Sequence, residues 1–157
     1  AARKNTRLFM TTLPSKLIFD GDAGRYLKPS YVENGQVSIC AFDLRLNRTI
    51  PEEFVSFFLS RGRSNEEKFQ DVLRQSESRL AVKDSGFICL ISIETALSLI
   101  NEGNDVIWFS DQQLPHLGLY YSKQVSSQEI LGAKTLLSWL ASERFEPVVA
   151  FKRSLPK

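Results

Sequence analysis

The chain has 157 residues, 43% of them hydrophobic and 24% charged, with a formal net charge of +2. That is enough chain for one domain with a substantial core, and the composition excludes disorder. The first nine residues hold Arg3, Lys4 and Arg7 and no acid; removing those three charges from +2 leaves −1, too little for the strong basic field that sequence-independent nucleic-acid binding requires.

Met10 is the only methionine, and a start there would make residues 1–9 a basic extension or expression remnant ahead of a single domain over 10–157. TRLFMTTL and SKLIF, within 6–19, are β-compatible runs separated by Pro14. DGDAGRYLKPSYVENG is predicted to be turn-rich, punctuated by Gly21, Gly24, Pro29 and the Asn34-Gly35 pair. QVSICAFDLRL, 36–46, reads as a strand. Its first half is apolar on both faces, and its second half alternates Phe42, Leu44 and Leu46 with polar residues.

Pro51 reads as a first helical residue, with Glu52 and Glu53 where the helix dipole favours acids. Phe54, Phe57 and Phe58 follow at i, i+3, i+4, and Gly62 ends this predicted helix. SNEE, 64–67, is a capping box opening a second helix with Phe69, Val72 and Leu73 on one face. FICLIS, IETALSLINEG and DVIWF then spell strand, helix, strand; as sheet neighbours, the two strands would be parallel with a right-handed crossover. HLGLYYS is a further strand.

Ser126 and Glu129 form a second capping box, with Val125 and Ile130 as its hydrophobic staple. Ile130, Ala133, Leu137 and Leu140 line one face of that helix, widened by Leu136 and Trp139. EPVVAF, 146–151, reads as a last strand. Together these elements predict an α+β fold: a single domain with a mixed β-sheet packed by about four helices.

One histidine and two cysteines cannot supply a structural zinc site, and HExxH, CxxC, P-loop, GxGxxG and GxSxG patterns are absent. No cofactor is implied. Cys40 and Cys89 lie inside the apolar runs VSICAF and FICLIS, so both are predicted to be buried, reduced thiols. No apolar stretch approaches the roughly 20 residues that span a bilayer, and no signal-peptide core opens the chain. A cytoplasmic chain without membrane contact is the expectation.

Asp20-Gly21-Asp22 offers two carboxylates to a hard cation such as Mg²⁺, but the later donors of a calcium loop are missing. A turn with aspartates bonded to backbone amides is the competing reading. Arg25, Tyr26 and Lys28, with Arg45 and Arg48 farther on, are suited either to gripping phosphate through forked hydrogen bonds or to a solvated rim. His116 titrates near neutrality and suits acid–base work, or it braces the Pro115 turn.

Three functions follow from these residues. The first is a non-catalytic protein-interaction module of accessory or immunity type, with a protein partner or as a homo-oligomer, anchored by Phe54, Phe57, Phe58, Phe69 and Trp139. The second is a small transferase or nuclease-like toxin acting on a phosphate-bearing substrate. Arg25 would grip phosphate, Ser38 or Tyr26 would position the substrate, and His116 would be acid or base, which requires Arg25, Ser38 and His116 in one pocket. The third, nucleic-acid binding through the basic tail and Arg45 with Arg48, is disfavoured by the near-neutral body.

The succession GRYLKP, NGQVSICAF, SGFICLISIETALSLINEGNDVIWF and LPHLGLYYS resembles small uncharacterised bacterial mobile-element proteins of the integron gene-cassette type. The resemblance covers roughly residues 24 to 122. It implies a leading arginine segment, a β-helix-β unit and a late histidine in a short strand, and no particular activity.

Overall fold

The computed structural model describes residues 16–154; the basic segment 1–9 and TRLFMTTL lie outside the described residues. In chain order the elements are β1 (Leu17–Ile18), β2 (Asp22–Leu27), β3 (Val32–Glu33), β4 (Gln36–Val37), β5 (Val55–Ser60), α1 (Asn65–Glu77), β6 (Phe87–Ser92), α2 (Ile93–Ile100), β7 (Ile107–Asp111), β8 (His116–Tyr121), α3 (Ser127–Glu143), β9 (Phe145–Pro147) and α4 (Val148–Ser154). Two 3₁₀ turns, Pro29–Tyr31 and Ile39–Phe42, flank the β3–β4 hairpin.

Seven strands form one sheet in the order β1-β7-β8-β5-β2-β6-β9, with every neighbouring pair antiparallel. Helices cover both faces. On one, α2 and α3 bury Ile93, Ala96, Ala133, Leu137 and Ala141 against Leu27, Phe57, Leu59 and Cys89. On the other, α1 and α4 bury Phe69, Val72, Leu73, Val148 and Phe151 against Phe58, Ile88 and Leu90. The α+β domain with four helices is therefore as the sequence predicts.

Its local grammar departs in several places, each for a physical reason. Residues 55–60 are not a helix but the central strand β5, with Phe57 turned to the α2/α3 layer and Phe58 to the α1/α4 layer. A strand buried on both faces reads as a continuous apolar run, which periodicity alone does not separate from a helix. The supposedly turn-rich GRYL segment belongs to β2, another central strand. Gly24 weakened its strand signal, yet glycine is required there: a Cβ would stand 2.3 Å from Val72 Cγ2 of α1.

The predicted strand 36–46 reduces to β4 followed by the second 3₁₀ turn, capped by Ser38, whose hydroxyl accepts from the Cys40 amide. The turn leaves Cys40 exposed, against expectation, while Cys89 is buried and both thiols are free. The predicted last strand is divided: β9 ends at Pro147, and Val148 begins α4, where Phe151 stacks on Phe69 at 5.1 Å. The strand β6 exists as read and β7 is displaced by two residues, to Ile107–Asp111, but β8, β5 and β2 lie between them, so they form no parallel pair.

Other signals hold. Asn34 and Gly35 both take positive φ, the hairpin geometry that Asn-Gly favours. Ser64 caps α1 by accepting from Glu67 N, and the complete capping box of Ser126 and Glu129 opens α3. Among the described residues no helix is long and apolar enough to cross a membrane.

Candidate functional site

Strand β2 pairs with β6 along Asp22–Leu27, but with β5 only over Asp22–Gly24. Past Gly24 the two central strands part, and the Arg25 side chain bridges the opening. Its Nη1 donates to the Ser56 carbonyl at 2.8 Å, and its Nε donates to the Ala41 carbonyl at 3.0 Å. The guanidinium lies 6.0 Å from the Phe57 ring centroid, so it occupies the face covered by α2 and α3. Burial lowers its pKa, with Cys89 acting in the opposite sense; it stays charged at any ordinary pH. The same burial pushes the Cys89 thiol up to about 12, so this cysteine is an inert core residue.

The corner where β2 leaves β5 is a cleft of 280 Å³. Four basic residues line it: Arg25, Lys28, Arg45 and Lys83. Tyr26, Tyr31, Leu80 and Ala81 complete the wall, and no lining residue is acidic. Tyr26 Oη accepts from the Lys83 amide at 3.1 Å, tying β2 to the loop after α1. Lys28 Nζ sits 4.8 Å from the Tyr31 ring centroid. Arg45 approaches Glu52 at 3.7 Å, and the Glu52 carboxylate also accepts from the Arg45 amide. Thus Arg25, Tyr26, Lys28 and Arg45 do come together, while Arg48 is not among the residues lining this cleft. Lys83 and Tyr31 escaped the sequence reading because only the β2–β6 pairing and the first 3₁₀ turn bring them to this corner.

His116 stands elsewhere. It opens β8 opposite Phe58, on the face of α1 and α4. Its ring lies between Phe54 and Phe58, with centroids 5.9 and 5.8 Å away, and Nε2 is 3.3 Å from Ser56 Oγ. Burial depresses its pKa, Arg79 adds to the effect, and the Gln112 main chain opposes it. The preceding turn is closed by its own backbone: His116 N donates to Gln113 O, and Gln112 N donates to His116 O. Ser38, the proposed positioning hydroxyl, is spent on capping its 3₁₀ turn. The cleft that Arg25 lines includes neither Ser38 nor His116.

The other singled-out residues have structural surroundings. Asp22 binds Lys68 and Arg144, each at 2.7 Å, while Asp20 is exposed and lies 3.9 Å from Arg61. Asp22 is thus paired with two cations, and no cluster of three or more metal-ligating side chains exists among the described residues. Of the predicted anchors, Phe57, Phe58 and Phe69 are core residues, and Phe54 is half-buried over Gly118, where a Cβ would meet its ring at 2.7 Å. Trp139 alone is exposed, at 61%.

A wider cleft of 1070 Å³ lies beyond the far end of β8, walled by Trp108, Tyr120, Tyr121, Leu44 and Ile50. Charges there are partly neutralised within the fold, since Lys134 binds Asp43 at 2.7 Å. No protein-family model, curated protein or solved structure matches this chain, so the functional reading rests on its geometry.

Proposed function

We propose that the chain is a non-catalytic interaction module of accessory type that pairs with a second copy of itself through the outer face of α3. The observation carrying this reading is an exposed stripe opposite the buried face of that helix. Ala133, Leu137 and Ala141 point into the core, whereas Leu131, Thr135 and Trp139 recur at i, i+4, i+8 on the solvent side. Next to them Gly132 is open, with nothing within 4 Å of where a Cβ would stand.

The stripe is self-complementary. In a two-fold antiparallel pairing that sets Trp139 against Gly132 of the second copy, Thr135 meets Leu136 at the axis, and Gln128 faces Glu143. A large ring entering a glycine notch is the close packing that helix pairs require. One helix pair of this length, about 25 Å, lies at the small end of specific interfaces, so affinity in the micromolar range is expected. The cleft lined by Arg25 contains neither Ser38 nor His116, and Ser38 is engaged as a cap, which favours this reading over a small transferase or nuclease-like toxin. Two free thiols fit a reducing compartment and hence a cytoplasmic site of action.

Sedimentation velocity over a concentration series tests the pairing. The native chain should dimerise, and Trp139→Glu should be monomeric with an unchanged melting temperature. A native chain that stays monomeric to about 100 μM, a hundred times the micromolar affinity expected for so small an interface, would overturn it.

A further inference from the structure

We infer that the basic cleft at the β2–β5 divergence binds a small phosphate monoester, held by Arg25 at its base and by Lys28, Arg45 and Lys83 at its rim. This holds whether or not α3 pairs with another copy. Arg25 is half-buried, whereas Lys28, Arg45 and Lys83 are exposed, so charge is presented in depth rather than as a flat surface. Glu52, standing behind Arg45, offsets one of the four cations and leaves three without an acid in the lining. Such a concentration of like charge opposes folding and is relieved by an anion.

The chemistry selects a phosphate monoester over a carboxylate. A monoester carries about −1.5 to −2 at neutral pH and three acceptor oxygens, which matches a surplus of three cations better than a single negative charge does. The two bonds to Ser56 and Ala41 use two of the five N–H groups of Arg25. That guanidinium is thereby fixed, and a guanidinium held in place meets phosphate without ordering cost. Tyr26 Oη accepts from Lys83 N, which leaves its own proton to donate. The Tyr31 ring, Leu80 and Ala81 supply an apolar wall for the organic part of the ester. At 280 Å³ the cleft is at the lower limit of small-molecule sites, about 300 Å³. A small ester matches that volume.

Calorimetric titration of the full chain with phenyl phosphate, at fixed ionic strength, is the test. Phenyl phosphate should bind, inorganic phosphate and phenylacetate should bind more weakly, and Lys28→Ala/Lys83→Ala should lose roughly tenfold or more in affinity at an unchanged melting temperature. A phosphotyrosine pentapeptide separates the two carriers of this group: equal affinity assigns the site to free esters, and tighter binding assigns it to a phosphorylated side chain. No heat from phenyl phosphate at about 10 mM, well beyond millimolar affinity, would overturn the assignment. So would full affinity in the double variant, or phenylacetate binding as tightly as the phosphate.

Discussion

Arg25 and His116 meet the same residue from opposite faces of the sheet. Arg25 donates to the Ser56 carbonyl at 2.8 Å, while His116 Nε2 lies 3.3 Å from the Ser56 hydroxyl. Ser56 sits in β5 just where β2 ceases to pair with it, so its carbonyl lacks the ladder partner that a continuing β2 would supply. The arginine side chain replaces the missing strand. The two residues read from the sequence as partners in one site thus both bear on Ser56, one on each side of the sheet.

Removing Arg25 is expected to be costly. Arg25→Ala leaves the Ser56 and Ala41 carbonyls without their charged donor, a loss of about 3 kcal/mol for two such bonds in a partly solvated place. Arg25→Lys should recover less than half, because one ammonium does not reproduce a fork that spans two carbonyls. Urea unfolding of the three chains checks this, and a change within about 0.5 kcal/mol for Arg25→Ala would place the weight elsewhere.

Gly24 reports on how closely α1 rides on the sheet. A methyl group there falls 2.3 Å from Val72 Cγ2 and 2.8 Å from Cγ1, so the helix must move or Val72 must change rotamer. Overpacking of this kind costs about 1–3 kcal/mol. Gly24→Ala should therefore destabilise, while Gly103→Ala, with open space around it, should not. Combining Gly24→Ala with Val72→Ala should give less than the sum of the single losses. Additive losses in the thermal unfolding of the double variant would mean that the clash is relieved in another way.

How much of this was legible beforehand depended on whether a signal was local. Caps and turns are local, so Ser64, Ser126 with Glu129 and Asn34-Gly35 were read from neighbouring residues alone. The α+β class followed from the succession of elements. Strand β5 was not legible, because Phe54, Phe57 and Phe58 mimic a helical stripe when helices cover both faces of a sheet. Strand β2 was hidden by Gly24, whose reason is a residue 48 positions later in the chain, Val72. For the cleft, Arg25, Tyr26, Lys28 and Arg45 were visible as a cluster, but Lys83 joins them only through the pairing of β2 with β6.

His116 makes stability depend on pH in a defined window. Burial between two phenylalanine rings lowers its pKa below the ordinary 6.5, and Arg79 contributes in the same direction. The unfolded chain then takes up the proton first, so acid favours unfolding. The contribution is full above about pH 6.5 and is lost as pH falls through and below the depressed value. Melting temperature should drop between about pH 7.5 and about pH 5.5, a range that brackets the ordinary histidine value, and His116→Gln should flatten that drop. An identical profile in His116→Gln would show that other groups control this range.

Asp22 governs a separate and more acidic window. Burial alone would raise its pKa, but hydrogen bonds and charge from Arg144 and Lys68 outweigh burial and hold it below the ordinary 3.8. Its contribution is therefore present above about pH 3.8 and disappears as pH falls through the lowered value. Asp22→Asn keeps the shape and removes the charge, leaving Lys68 and Arg144 facing each other. Breaking a fully buried pair costs about 3–5 kcal/mol. Both cations here retain side-chain exposure, 21% and 27%, which reduces the expected loss to about 2 kcal/mol. Because the carboxylate is already saturated by two cations, Mg²⁺ or Ca²⁺ should leave the melting temperature of the native chain unchanged. A metal-dependent rise that Asp22→Asn abolishes would instead mean that the ion displaces Lys68 and Arg144.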